Sequence, residues 1–214
     1  MSAAVPDDIA AVEALCPVSR ETASRLKTFV ELLIKWQKAE NLIASGTLPD
    51  VWRRHVADSA DLVRLFPESA RWLDLGSGAG FPGLVVAIAG KPGTRVHLVE
   101  SNRRKCAFLR QAIRATGAPA EVHEGRAGEV LRSLSSGGID RVSARAVAPL
   151  TDLLAMAAPV MTQSVSAAFH KGLDFRREVA EATQSWDFDL IEHQSRIGDG
   201  VILEISNLRR KAVG

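Results

Sequence analysis

The feature that most constrains this fold is the alternation of short β-like runs with helical segments that starts at Arg71. The β-like runs are RWLDL, TRVHLVE, AEVHEG, IDRVSARAV, VSAAFHKG, WDFDLIEH and VILEISN. Such alternation predicts a mainly parallel sheet with helices on both faces. The last two runs are joined only by SRIGDG, which predicts a hairpin whose second strand is antiparallel at the end of the sheet. We therefore expect an α/β protein with seven strands.

The segment before Arg71 has the pattern of amphipathic helices. Apolar side chains recur every three or four positions at Phe29, Leu32, Leu33 and Trp36. Charged side chains face away at Lys27, Glu31, Lys35 and Lys38. A further helix is predicted from an N-cap at Asp50 to Leu65. The chain is accordingly divided into a helical extension over 1–68 and an α/β domain over 69–214.

Composition limits the possible functions. The 27 basic and 25 acidic residues give a formal charge of +2, so RNA binding would depend on local patches. Cys16 and Cys106 form no CxxC pair and no His/Cys cluster has metal-ligand spacing, so we expect no metal and no disulfide. The N-terminus lacks a signal-peptide pattern, and no apolar run approaches the ~20 residues that span a bilayer. These features predict a cytoplasmic protein without a membrane association, and a monomer is the default.

A glycine-rich turn, LDLGSGAGFPG, follows the first strand and precedes a helix that should begin near Pro82. Glycines there let the backbone approach a ligand closely, and we assign three of them to a cofactor site: Gly76, Gly78 and Gly80. The turn also contains a formal GxGxxG match that ends at Gly83. The turn by itself is compatible with an NAD site, with an S-adenosylmethionine (SAM) site, or with a tight turn that binds nothing.

Two carboxylates near the turn narrow the choice of cofactor. Asp74, just before the turn, would repel a pyrophosphate but would favour the ammonium and sulfonium groups of SAM. Glu100 ends the second strand, where an acidic side chain can accept hydrogen bonds from both ribose hydroxyls of a nucleoside. The terminal hairpin also favours SAM over NAD. We therefore predict a Rossmann-like class I SAM-dependent methyltransferase fold with an N-terminal helical extension.

Two further segments lie at predicted carboxyl ends of strands, where ligands bind in open α/β sheets. Ala127 and Gly128 follow the third strand and could read the edge of an adenine. Arg145 ends the fourth strand and is expected to border the cofactor.

With these pieces in place, the chain resembles the bacterial small-subunit ribosomal RNA guanine-N7 methyltransferases, the glucose-inhibited division protein B family. The resemblance covers nearly the whole chain and rests on LIKW with Asn41-Leu42, RHVADS, LDLGSGAGFPG, SARAVAPL and His170-Lys171-Gly172. It implies transfer of a methyl group from SAM to N7 of one guanine in the decoding-region hairpin loop of 16S rRNA. The implied partner is 16S rRNA or the small ribosomal subunit.

Carried over by position, the family's cofactor contacts fall on Gly76, Phe81, Ala127, Gly128 and Arg145. The sequence departs from common family forms at Ala60 and at His170, which bears on the RNA-facing surface and not on the cofactor site.

The predicted chemistry asks little of side chains. Guanine N7 has a lone pair and no proton, so its attack on a methyl group needs no general base. We nominate Arg145, Lys171 and His55 to position the guanine or its phosphate, and Phe81 or an arginine plane to stack on the base. The alternative role for His55 is purely structural, as a helix residue hydrogen-bonded to the nearby Asp58.

Basic clusters are candidates for phosphate contacts. They are Arg103, Arg104, Lys105, Arg110 and Arg114, with Arg53, Arg54, Arg209, Arg210 and Lys211 elsewhere. A solvated helix face is the preferred interpretation of Arg110 and Arg114. The alternatives to rRNA methylation are methylation of a protein or small molecule, NAD-dependent oxidoreduction, and an RNA-binding scaffold without activity.

Overall fold

The computed structural model describes residues 8–134 and 138–212. Within these ranges the chain forms one sheet of seven strands. The strands are β1 Arg71–Leu75, β2 Arg95–Glu100, β3 Ala120–Glu124, β4 Arg141–Arg145, β5 Ser166–Lys171, β6 Trp186–Gln194 and β7 Val201–Arg210. Their order across the sheet is β3-β2-β1-β4-β5-β7-β6, and β1 to β5 are mutually parallel. The α/β fold with seven strands is therefore confirmed.

The terminal hairpin differs from the prediction in one respect. Its second strand, β7, is antiparallel as predicted, but it lies between β5 and β6, so β6 forms the edge. Val201, Ile202 and Leu203 of β7 are buried in succession, so both faces of this strand are covered by the layers that pack on the sheet. In β6, by contrast, half-buried and exposed side chains alternate along most of the strand, as expected of a strand at the edge of a sheet.

Helices connect the strands and precede them. They are α1 Ala10–Glu13, α2 Arg20–Gln37, α3 Asp58–Leu65, α4 Gly83–Ala89, α5 Arg103–Thr116, α6 Ala127–Ser133, α7 Leu150–Ala157 and α8 Phe175–Ala182. The helix predicted over 50–65 is divided. A 3₁₀ turn occupies Ser45–Asp50 and a π-helical segment covers Trp52–Ala57 before α3. Asp50 therefore closes a turn instead of capping a helix, and Pro49 lies inside that turn.

The helical extension packs on the sheet and shares its core. Leu26, Phe29 and Leu33 of α2 are fully buried in an apolar cluster with residues of α4, α5 and the sheet. Polar contacts fix the same interface, since Arg25 donates to the carbonyl oxygens of Thr116 and Gly117 at 2.7 and 2.8 Å. Arg25 thereby satisfies carbonyl groups at the C-terminus of α5 that lack partners within the helix. The predicted beginning of the helical pattern, near Pro6, lies outside the described residues.

The opposite face of the sheet carries a second apolar cluster. Leu73, Val142 and Phe169 are fully buried there, against α7 and α8. Two covered faces leave the carboxyl edge of the parallel strands as the place where polar side chains gather. Among the described helices, none has the length and apolar character needed to cross a membrane.

Candidate active site

The glycine turn adopts backbone conformations that suit glycine. Gly76, Gly78 and Gly80 have φ values of +64°, +55° and +90°, in the region that L side chains rarely adopt. A Cβ at Gly76 would also lie 2.7 Å from a methyl carbon of Val147, which follows β4. The turn is therefore packed against the end of β4, and α4 begins at Gly83, one residue after the predicted start.

Glu100 lies at the end of β2, as predicted, and its carboxylate holds the glycine turn. Oε2 accepts a hydrogen bond from the Gly78 amide at 2.8 Å, and Oε1 accepts one from the Asn102 amide at 2.7 Å. The residue is 8% exposed. The carboxylate thus connects the turn after β1 to the start of α5 at the edge where a nucleoside would bind.

Asp74 lies inside the protein and not on the ligand-facing side of the turn. It is fully buried, its Oδ1 accepts from the Ser143 hydroxyl at 2.7 Å, and a Cβ at Gly83 would be 2.6 Å from Oδ2. Oδ2 has no hydrogen-bond partner among the described residues. Burial raises the pKa of Asp74 to about 6, although the Ser143 hydrogen bond opposes the rise. In this structure Asp74 supports the turn, and a direct contact with the cofactor stays a prediction.

The raised pKa of Asp74 predicts a pH-dependent stability. The folded state binds this proton more tightly than the unfolded state, so the stability that Asp74 contributes is highest below about pH 4 and falls as the pH rises to about 6. Asp74→Asn removes this loss. Its free energy of unfolding, relative to that of the native chain, should increase by about 2–3 kcal/mol between about pH 4 and pH 7.

Urea unfolding of both proteins at closely spaced pH values measures this difference. His55, whose pKa is lowered, contributes a slope of opposite sign over a similar range, but it is present in both proteins and cancels. Parallel pH profiles for the two proteins would contradict the assignment.

Arg145 joins the helical extension to the end of β4. Its Nη1 donates to the Arg54 carbonyl oxygen at 2.8 Å and to Asp58 Oδ2 at 3.1 Å, and its Nη2 contacts Nδ1 of His55. The guanidinium carbon also lies 5.3 Å from the centre of the Phe81 ring. The next residue, Ala146, has a φ of +54°, which is uncommon for a residue with a side chain and is a form of strain found at functional sites.

His55 is held on both ring nitrogens. Its Nε2 lies 2.8 Å from the Thr47 hydroxyl, and its ring stacks on Phe81 with centroids 5.1 Å apart. Burial and the nearby Arg145 lower the pKa of His55 to about 4, so the ring is neutral near pH 7. His55 therefore contacts Arg145 and Thr47 through its ring nitrogens, instead of Asp58, the partner that the sequence suggested.

The stacking role predicted for Phe81 does not fit this structure. The residue is 5% exposed, and its ring packs between Phe29, at 5.3 Å, and His55. A guanine has no free face of this ring to stack on. Phe81 instead couples the glycine turn to the helical extension.

Lys171 is engaged within the protein. Its Nζ donates to Glu178 Oε2 at 2.6 Å and to the Ala148 carbonyl oxygen at 2.9 Å, and its side chain is 8% exposed. Glu178 also accepts from the amide of Leu150 at 2.7 Å, at the start of α7. Beside this group, Nε2 of His170 lies 3.0 Å from the Asp58 carbonyl oxygen, while Nδ1 has no partner among the described residues.

An open cleft of about 730 Å³ lies beyond the carboxyl ends of β4 and β5, and its lining includes His55, Arg145, His170, Lys171 and Glu178. The loop over 195–200, which joins β6 to β7, forms another wall. Carboxylates are prominent in the lining, at Asp58, Asp174, Glu178, Glu181 and Asp199. The volume is in the range of small-molecule sites, and the mixed charge suits a polar ring such as a nucleobase.

The predicted basic clusters separate in the structure. Arg103 and Arg110 both pair with Glu124 at 3.1 Å, and Arg104 pairs with Glu40 at 3.3 Å, so part of that positive charge is neutralised. Arg209 pairs in register with Asp187, at the end of β7 farthest from the cleft. The cluster at 209–211 therefore lies at the opposite edge of the sheet.

Some site residues were not identified from sequence. Thr47 and Ser143 carry no motif that could have marked them, and Glu178 lies on α8 far from the glycine turn. Asp58 was noticed only as a neighbour of His55, although it contacts Arg145. Aligning β4 with β5 would have placed Arg145 beside His170, because the two are register partners.

The sheet order, with its antiparallel β7, is that of the class I SAM-dependent methyltransferase fold. The SAH-bound Podospora anserina methyltransferase PaMTH1 superposes with a TM-score of 0.60 at 13% identity, covering 92% of this chain and 98% of that chain. A mutant of MtNAS in complex with S-adenosylmethionine gives a TM-score of 0.58 at 15% identity, covering 93% and 84%. At these identities the likeness concerns the fold.

Sequence comparison identifies the family. The family model for GidB, rRNA small subunit methyltransferase G, matches residues 22–198. Ribosomal RNA small subunit methyltransferase G of Bradyrhizobium diazoefficiens is 48% identical, covering 96% of this chain and 79% of the relative. The protein of the same name from Rhizobium etli is 50% identical, with coverage of 90% and 96%. The chain belongs to the rRNA small subunit methyltransferase G family.

Proposed function

We propose that this protein transfers the methyl group of SAM to N7 of one guanine in the decoding-region hairpin loop of 16S rRNA. The family match over residues 22–198 is the observation that carries the proposal. The substrate is the RNA or the assembled small subunit, the compartment is the cytoplasm, and the protein acts as a monomer.

The carboxyl ends of β1 to β3 fit the cofactor. Each oxygen of Glu100 accepts one backbone amide and keeps a further lone pair for a ribose hydroxyl. Gly128, beside Ala127, is exposed and has open space where a Cβ would be, as a segment that meets an adenine requires. When bound, SAM supplies a methyl group activated by a positively charged sulfur. The remaining proposed cofactor residues are Asp74, Gly76, Gly78, Gly80, Phe81 and Arg145.

The cleft is suited to alignment and charge stabilisation. The methylated guanine ring is cationic, and carboxylates beside it stabilise the charge as it develops. Asp58, Asp174 and Glu178 line the cleft and are the candidates for this role. His55 has both nitrogens engaged, in agreement with a reaction that needs no proton acceptor.

Arg145 acts in this proposal as a positioning residue. It holds His55 and Asp58 against the end of β4, and through Phe81 it fixes the glycine turn. The same group therefore sets the wall of the guanine cleft and the edge of the cofactor site. Correct alignment of reacting groups can account for about 7–11 kcal/mol of a barrier in favourable cases.

Side chains at the mouth of the cleft can meet RNA. Arg54 and Arg177 are exposed in its lining and can bind phosphates, which position a substrate without reading its sequence. Leu173, next to the lining residues Gly172 and Asp174, is 75% exposed and offers an apolar surface to an unstacked base. Unpaired loops with splayed bases are the usual targets of sequence-specific RNA recognition.

The test is methyl transfer from labelled SAM to naked small-subunit RNA and to intact subunits, both from cells that lack this protein. Nucleoside mass spectrometry should find 7-methylguanosine at a single loop position. Raising the salt concentration should weaken binding strongly, because phosphate contacts release counterions. Binding of SAM without labelling of either RNA substrate would reject the proposal and direct the search to protein or small-molecule acceptors.

A further inference from the structure

A cluster of metal-ligating side chains lies outside the cleft, on the face of the sheet at β2 and β3. It consists of His97, Glu121 and His123, whose ligand atoms all lie within 4.8 Å of one another. Nδ1 of His97 is 2.9 Å from Nε2 of His123, and a Glu121 carboxylate oxygen is 4.0 Å from the same Nε2. No step of the proposed methyl transfer uses these residues.

The sheet itself brings the three donors together. His97 and Glu121 are register partners on neighbouring parallel strands, and His123 lies two residues beyond Glu121. Side chains two positions apart on a strand share a face, and register partners lie side by side on it. The backbone ladder therefore holds the donors on one surface before any ion arrives.

The ligand types of these three side chains determine which metal ions the cluster can bind. Two imidazoles and one carboxylate suit zinc and the neighbouring late transition metals, whereas magnesium and calcium prefer oxygen ligands. Zinc–nitrogen bonds of about 2.0–2.1 Å in tetrahedral geometry separate two nitrogens by about 3.3 Å. The observed separation of 2.9 Å reaches that value through a small rotation of either ring. Both histidines are partly exposed, so water can complete the coordination.

We propose that His97, Glu121 and His123 form a site for a divalent transition metal such as Zn²⁺, which fastens the edge strand β3 to β2. An edge strand has a ladder partner on one side only, so a bond through side chains adds to its attachment. The site lies beside Glu124 and the segment that leads to Ala127, so the ion would stabilise the part of the fold proposed to meet adenine. Its role is structural and not catalytic.

Titration of the tag-free protein with Zn²⁺ and with Co²⁺ tests the site. One equivalent of Zn²⁺ should bind, and Co²⁺ should give the visible absorption of a low-symmetry site with nitrogen ligands. Zn²⁺ at a hundred times its Kd should raise the Tm by about 5–10 °C. Native protein that binds no Zn²⁺ and gives no Co²⁺ absorption would overturn the proposal and leave a hydrogen-bonded pair of imidazoles.

Variants locate the binding. His97→Gln and His123→Gln should each abolish the Co²⁺ absorption and the rise in Tm, and Glu121→Gln should weaken binding. The control is His193→Gln, since His193 lies on β6, where it bonds to Glu204 at 2.9 Å, and its loss should leave one equivalent bound. Retention of the site in both cluster variants, or its loss only in the control, would place the ion elsewhere. SAM binding by each variant serves as the check of folding.

Discussion

Arg145→Ala is expected to lower kcat/KM for methyl transfer by about 10²-fold. The guanidinium joins the end of β4 to Arg54, His55 and Asp58 of the helical extension, and it lies over Phe81 of the glycine turn. Its removal frees the cleft wall and the turn together. A misplacement of about 1 Å at a reacting centre can cost about 10²-fold in rate. Steady-state kinetics with small subunits and SAM titration of the same preparations measure the effect.

Two further variants test whether the loss of activity is specific to the Arg145 guanidinium. Arg145→Lys keeps the charge but cannot reach all the partners of a planar guanidinium, so its activity should lie between those of the native protein and the alanine variant. Arg95→Ala removes an exposed arginine at the start of β2, far from the cleft, and should leave activity unchanged. Near-normal SAM affinity and turnover in Arg145→Ala would remove this residue from the site.

The strands and the glycine turn could be predicted because their signals are local. A strand of five or six residues can be recognised from its own apolar run. The turn can be recognised from glycines whose positive φ values need no distant partner. Glu100 could be identified from the sequence for the same reason, since it ends a strand at a fixed distance from the turn. The position of β7 inside the sheet depends instead on a competition between two strands for a buried place, which neither run specifies alone.

The groups that hold the site together could not be predicted in this way. Arg145 is 87 residues from Asp58 and 90 from His55 in the chain, so their meeting depends on how the extension docks. The same holds for Asp74, whose burial beneath Gly83 and against Ser143 is a consequence of packing. The proximity of His97 to His123 likewise follows from strand register and not from their spacing in the sequence.

Asp58 illustrates how the extension and the sheet form one unit. Its carboxylate pairs with Arg145, its carbonyl oxygen meets His170 at the end of β5, and its Oδ1 lies 3.4 Å from the hydroxyl of Ser195. A single residue of the extension thus touches β4, β5 and the loop between β6 and β7. The division at residue 68 describes the sequence, whereas the cleft requires both parts.

Lys171→Met is expected to lower the free energy of unfolding by about 3 kcal/mol, which corresponds to a fall in Tm of about 6–12 °C. The ammonium group is nearly buried and is the charge partner of Glu178, so its loss leaves that carboxylate uncompensated at the start of α7. Lys91→Met is the matched control, because Lys91 pairs with Glu68 at the surface and such pairs contribute about 0–1 kcal/mol. Urea unfolding compares the variants.

The double variant Lys171→Met with Glu178→Gln separates structure from substrate binding. Since each single change strands one charge, the double change should cost less than the sum of the two. If Lys171 acts only through Glu178, the double variant should recover stability and match the methyl transfer of Glu178→Gln alone, since Glu178 is itself proposed to stabilise the methylated guanine. Recovery of stability with methyl transfer clearly below that of Glu178→Gln alone would instead mean that the ammonium leaves Glu178 to contact the guanine or its phosphate. Equal, additive losses would show that the two side chains do not form the pair that the structure describes.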